Sequence, residues 1–212
     1  MTTVSIAPER ADTVGLAGQG LLLRTLARWL VGTCPILPLD FSLDPPRDGA
    51  ARHATMDGCG VAVLASDGWD PNLHSAFNTE CLARGVPWLP VYVEGGHAVI
   101  GPGTLPGQAG CAVCAQTRRH AARQDVTEFA RLVQRFAAEF AAPSGSWLTT
   151  CGAELIAALV AEELASLTAA PQRARTRNAL VRVDLAGLVA SVHSFLPDPW
   201  CQACGDLPRD TE

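Results

Sequence analysis

The sequence predicts an α/β domain: an open, mostly parallel sheet with helices on both faces, whose C-terminal arm is tied back by four cysteines. Three observations predict it. Residues 13–39 run strand, glycine-rich turn, helix, strand. Val61-Ala62-Val63-Leu64-Ala65 is a continuous apolar run, the mark of a strand buried on both faces, and helix and strand patterns follow it. Two Cys-x-x-Cys pairs, Cys111/Cys114 and Cys201/Cys204, share one spacing across the 86 residues from 115 to 200.

Composition bounds the rest. The 212 residues suit one domain, 13–100 and 101–212 forming its two halves, and 48% hydrophobic residues suffice for a core. A net charge of −5 leaves no basic stripe, which argues against nucleic acid. No apolar run approaches the roughly 18 residues of a membrane span, and MTTVSIAPER does not read as a signal peptide. The eight cysteines therefore read as reduced, cytoplasmic thiols. All 16 basic residues are arginine, so any mechanism that needs a lysine is excluded.

Element by element, the first turn carries Gly15, Gly18 and Gly20, a pattern that lets backbone approach a phosphate at a helix N-terminus; alone it is a weak signal. Leu22, Leu23, Leu26 and Leu30 mark the following helix as mostly buried. The strand at 35–39 ends in Asp40, placed either to hold a ribose hydroxyl or to cap a loop. Residues 41–60 are unperiodic and read as loop. The buried strand ends at Ser66-Asp67-Gly68, then 71–84 is a helix with Leu73, Phe77 and Cys81 on one face. A strand at 88–93 follows, with 97–100 returning as an antiparallel partner. Residues 125–140 form an amphipathic helix carrying Phe129, Phe136 and Phe140, a core stripe or an interface; 154–167 form a second long helix. Residues 180–185 alternate as an edge-type strand.

The cysteine pairs offer four thiolates, the ligand set of a closed tetrahedral zinc site with no position left for water. The alternatives are two redox pairs or unrelated core thiols. A redox pair usually opens a helix beside a strand, whereas each pair here sits in a Gly/Pro-rich loop (107–110 and 197–205), which favours zinc. Cys34, Cys59, Cys81 and Cys151 lie beside apolar or glycine residues with no adjacent basic partner, and no nucleophilic triad is legible. His97 and His193 read as surface or core histidines.

In this order the residues resemble the ThiF/MoeB/HesA superfamily, adenylating relatives of ubiquitin-activating enzymes. Gly15, Gly18 and Gly20 match its nucleotide loop, Asp40 its acidic residue after the second strand, and Asp67 its metal–nucleotide aspartate. The run Asn78, Cys81, Gly85, Pro87 follows the family's helix-to-strand passage, and the cysteine pairs match its zinc site. The resemblance implies a Rossmann-like fold, structural Zn2+ on Cys111, Cys114, Cys201 and Cys204, and an ATP/Mg2+ crevice at Gly15, Gly18, Gly20, Asp40 and Asp67. The family's triphosphate clamp uses arginines and a lysine carried on a helix between the second strand and the aspartate. The segment 41–60 offers no such helix and no lysine, with Arg52 standing in for one arginine.

A divergent, ocin-ThiF-like branch keeps the fold and metal but not the ATP chemistry. The resemblance to it implies a non-catalytic partner, homodimeric or heteromeric, of a YcaO cyclodehydratase and a precursor peptide, in thiazole/oxazole (thiopeptide-type) biosynthesis. The chain begins too near its first strand to include that branch's winged-helix leader-binding domain. The alternative is an ATP-dependent adenylyltransferase acting on the C-terminus of a carrier protein or peptide. A third reading, a purely structural zinc protein or a dinucleotide-binding oxidoreductase, fits less, because an ordinary oxidoreductase lacks the paired cysteine turns.

Overall fold

Residues 13–41, 56–135 and 147–205 are described by a computed structural model. Strands β1 (Val14–Gln19), β2 (Ile36–Pro38), β3 (Val61–Ser66), β4 (Trp88–Glu94), β5 (His97–Ile100), β6 (Ala179–Asp184) and β7 (Val189–Ser194) make one sheet. Their order is β2-β1-β3-β4-β5-β6-β7. The first four run parallel, and β5, β6 and β7 are each antiparallel to the neighbour before them. The helices are α1 (Leu21–Leu30), α2 (Pro71–Arg84), α3 (Ala112–Ala121), α4 (Val126–Arg135) and α5 (Thr150–Ala169).

Burial follows from this layering. All six residues of β3 are buried, as a central parallel strand covered on both faces requires. In β4 the faces alternate: Leu89, Val91 and Val93 join the core under α1 and α5, while Trp88 joins Phe77 and Cys81 of α2. On α5 the stripe Ile156, Val160, Leu164, Leu167 is buried at helical spacing. Phe77, wholly buried against Trp88 and Phe41, anchors the opposite layer, and its truncation to alanine would cost about 3–5 kcal/mol.

Helix α2 has explicit ends. The Asp70 side chain accepts from Asn72 N (2.9 Å) and Leu73 N (3.1 Å), Pro71 opens the first turn, and Gly85 closes the helix in a left-handed conformation.

Two expectations change. Residues 180–185 are not an edge strand: β6 lies between β5 and β7, and β7, exposed at all six positions, is the edge. Its mostly polar or small residues gave no clear strand period. Helix α3 stands where the sequence reads as a Gly/Pro-rich loop. Of the helix expected over 125–140, α4 covers Val126–Arg135; Phe136 and Phe140 lie outside the described residues, as does Arg52.

Candidate metal centre and nucleotide crevice

The first cysteine pair does open a helix, contrary to the sequence reading. Cys111 is the N-cap residue of α3 and Cys114 lies in its first turn, with Ala115 N bonded to Cys111 O at 3.2 Å. Opening a helix is thus no sign of a redox pair here, because the second pair completes the set. Just before α3, Gly110 has φ +106°, and a Cβ there would lie 1.8 Å from Asn178 Oδ1; only glycine passes this point.

The second pair arrives on the arm that follows β7. Phe195 N donates to Asn178 O (2.9 Å), and Arg118 of α3 donates to the carbonyls of Leu196 (3.0 Å) and Pro197 (3.2 Å). The chain then turns at Asp198, whose N–H points to Cys114 Sγ at 3.5 Å. Cys201 N donates to Asp198 O and Gly205 N to Cys201 O, winding the second pair into a tight turn.

All four thiols are buried, and their sulfurs lie within 4.8 Å of one another. The Cys111–Cys201 and Cys114–Cys204 contacts are 3.7 and 3.4 Å. Zinc–sulfur bonds of about 2.3 Å in a tetrahedron put sulfurs roughly 3.8 Å apart, whereas a disulfide needs about 2.05 Å. The cluster therefore fits a metal such as zinc. Electrostatics agree with this fit. Cys114 is pushed below the usual thiol range, first by the hydrogen bond from Cys111. Cys111 is pushed up, first by that same bond, and Cys201 by burial. Four buried thiols share ionisation poorly until a cation compensates them.

The crevice lies where strand order reverses, between the carboxyl ends of β1 and β3, the place where such sheets bind ligands. The structure corrects the expected loop. β1 continues through Gln19, so Gly15 and Gly18 are strand residues and only Gly20 turns the chain into α1. Gly15 is a packing glycine: a Cβ there would lie 2.2 Å from Cys59 Sγ and 2.8 Å from Leu39 Cδ1. Asp40 is exposed, just beyond β2.

Asp67 sits at the decisive position. Its carboxylate accepts from Leu21 N (2.6 Å) and Leu22 N (2.9 Å), the first amides of α1. α1 has no acidic residue in its own first turn and no side-chain bond from Gly20, so a carboxylate 45 and 46 positions away caps it. Gly20, at φ +98°, makes room: a Cβ there would lie 2.3 Å from Asp67 Oδ2. The anion position of this helix end is filled from within the chain.

Sequence reasoning passed over His74 and Arg119. His74, Phe77, Asn78 and Cys81 are the buried residues of α2, spaced i, i+3, i+4, i+7, so the apolar stripe itself flagged a buried histidine. Arg119 was hidden with α3; it donates to Tyr92 Oη (2.6 Å) and pairs with Glu94.

No protein-family model and no curated protein matches the chain. Solved structures do. A structure described as a heterocyclase in complex with substrate and cofactor matches with a TM-score of 0.63 at 18% identity, covering 95% of this chain and 27% of that one. The heterocyclase TruD matches at TM-score 0.61 and 24% identity over 92% of this chain and 27% of its own. E. coli MccB with MccA-N7isoAsn matches at TM-score 0.63 and 15% identity over 93% of this chain and 68% of that one. The chain thus spans about a quarter of the length of these heterocyclases. The open, mostly parallel α/β fold expected from the sequence is the fold shared with TruD and MccB. Among the described residues, no helix is long and apolar enough to cross a membrane.

Proposed function

We propose that this chain is a ThiF-like partner protein in ribosomal-peptide heterocycle (thiazole/oxazole, thiopeptide-type) biosynthesis. It supports a YcaO cyclodehydratase, which carries the ATP chemistry, and it binds a precursor peptide without adenylating it. The observation that carries this reading is the Asp67 carboxylate on the first two amides of α1. A nucleotide phosphate uses the same donors and the same positive helix end, so it must first displace a bonded carboxylate of like charge. The absence of lysine adds to this, because phosphoryl chemistry depends on cations fixed around the developing charge. The shared fold with the heterocyclase TruD supports the peptide context.

Cys111, Cys114, Cys201 and Cys204 hold a zinc in this reading. With four thiolate ligands the ion is saturated and supplies structure, fixing the C-terminal arm on α3. The partner contact falls on that arm, where Leu196 and Trp200 are exposed beside the β7 edge with its exposed Val189 and Val192. Self-association through the same surface gives the dimer.

The alternative, an adenylyltransferase, draws on Asp40 and Asp67 both lying at the strand ends of the crevice. It requires Asp67 to leave α1 to meet a metal–nucleotide.

The test is reconstitution. The chain is mixed with a YcaO-type enzyme, that enzyme's precursor peptide and ATP, and water loss from the peptide is followed by mass spectrometry. The chain is expected to co-purify with the enzyme and to accelerate heterocycle formation. A strictly monomeric chain that neither binds nor stimulates the enzyme overturns the reading.

A further inference from the structure

The two edges of the sheet are built differently. β2 has three residues, with Pro35 before it and Pro38 within it, and short length and proline keep an edge from accepting another strand. β7 has neither protection. Its six residues pair with β6 in one unbroken register and include no proline and no Lys, Arg, Asp or Glu. All six are exposed, Val189 at 63% and Val192 at 54%. Among the described residues, no strand pairs with its outer side.

The ladder fixes which groups β7 offers. Phe195 N donates to Asn178 O at 2.9 Å, one step beyond the Ala179–Ser194 pair. Hydrogen-bonded and non-hydrogen-bonded pairs alternate along an antiparallel ladder. Val189, Ser191 and His193 therefore turn their N–H and C=O groups to β6, and Ala190, Val192 and Ser194 turn theirs outward. Ala190 and Val192 lie opposite Val183 and Val181 of the core under α1 and α5, so the outward set shares that face of the sheet. A two-fold axis normal to the sheet sets residues of one face opposite each other, so it passes through a single residue. Only an axis at Val192 gives each outward residue an outward partner within the strand. Ala190 then meets Ser194, and Val192 meets its own copy. The same register sets Leu188 against Leu196, exposed at 39% and 79%. Exposed apolar residues at 188, 192 and 196 are thus symmetric about the axis, and from 187 to 197 there is no charged residue to oppose its like.

We propose that two copies of this chain join through β7, antiparallel about a two-fold axis at Val192, into one continuous sheet of seven strands from each copy. The outward N–H and C=O groups of Ala190, Val192 and Ser194 are then all hydrogen-bonded across the axis. An unrelated extended peptide satisfies the same backbone groups, but it does not account for the symmetric placing of Leu188, Val192 and Leu196; a second copy does. One strand pair with its flanking side chains buries less than about 1,200 Å2, the range of weak complexes, so the dimer dissociates on dilution. The inference deepens the self-association proposed above and rests on it, but it does not depend on the cyclodehydratase.

The experiment follows the full zinc-loaded chain by sedimentation equilibrium over a range of dilutions, as the parent and with one charge on the axis in Val192→Lys and Val192→Glu. The parent is expected to pass from dimer to monomer on dilution. Each variant sets like charges face to face and is expected to weaken the dimer about five-fold or more, whereas an equimolar mixture of the two is expected to associate again. Val192 is half exposed and its N–H does not serve β6, so both variants keep the fold, which far-UV circular dichroism checks. Amide exchange of the parent needs no variant: Ala190, Val192 and Ser194 are expected to be protected in concentrated samples and not in dilute ones. A parent monomeric at every concentration overturns both this inference and the self-association. A dimer unmoved by either charge, charge variants that do not recover on mixing, or exchange independent of concentration overturns the pairing at β7 and leaves self-association to another surface. Protection that appears only when the precursor peptide is added assigns the edge to that peptide and also overturns the proposal. None of these outcomes bears on stimulation of a cyclodehydratase, which the reconstitution measures separately.

Discussion

Replacing Asp67 by alanine separates a structural from a catalytic aspartate. The carboxylate caps α1 through Leu21 N and Leu22 N, and among the described residues no other side-chain cap is present at that end. Loss of an N-cap costs about 0.5–2 kcal/mol, and loss of a negative charge at a helix N-terminus about 0.3–1 kcal/mol more. The sum is about 1–3 kcal/mol. For a chain of this size that lowers Tm by roughly 3–10 °C. Asp67→Asn keeps an acceptor and loses the charge, so it should fall about halfway. Gly20→Ala should destabilise as much or more, because its Cβ meets Asp67 Oδ2 at 2.3 Å in a φ +98° conformation. Combined with Asp67→Ala, its cost should be less than additive. Urea unfolding of the metal-loaded chain, followed by far-UV circular dichroism, reads all four variants. An Asp67→Ala variant within about 0.5 kcal/mol of the parent would refute the cap, and with it the argument that the helix end is already occupied.

Elemental analysis of freshly purified protein should find one zinc per chain; Cys201→Ser and a strong chelator should each release the arm and lower the unfolding midpoint, and metal well below one equivalent would contradict this. Glu163, 4% exposed, accepts from Thr176 N (2.8 Å), Thr176 Oγ1 (2.6 Å) and Arg175 N (3.3 Å), tying α5 to the turn before β6. Glu163→Gln turns an amide NH2 toward those donors and should cost about 2–4 kcal/mol in urea unfolding. His74 makes stability depend on pH. Its folded pKa, about 4, lies below the unfolded value of 6.5, so the unfolded chain binds more protons between them. Stability is full above pH 6.5 and falls as pH drops through this window, by up to roughly 3 kcal/mol. Urea midpoints from pH 7.5 to 5 should fall less steeply in His74→Phe than in the parent; parallel curves would refute this.

Much of the fold was legible because its signals are local. The buried run at Val61 and the Asp70-Pro71 start of α2 declare themselves within a few residues. So does the equal spacing of the cysteine pairs, whose convergence the structure shows. What escaped depends on distant partners. Gly15, Gly18 and Gly20 spelled a phosphate loop, yet Gly15 is small for Cys59 and Leu39, and Gly20 is small for Asp67. No local pattern tells a glycine that admits a phosphate from one that admits a carboxylate of the same chain. α3 was missed because its first residues are metal-ligand candidates and its apolar face is short, Cys114 and Ala115 being its buried residues. β7 was missed because an edge strand exposed at every position has no apolar period to read.

The central claim is that the crevice at Asp67 does not turn over ATP. ATP–pyrophosphate exchange measures this directly, with the zinc-loaded chain alone and then with candidate precursor peptides and carrier proteins. The account predicts exchange at background with every one of them, because the first amides of α1 are bonded to Asp67 and no lysine is present to hold the triphosphate. Exchange clearly above background, abolished by Asp67→Ala, would contradict it and make the chain an adenylyltransferase.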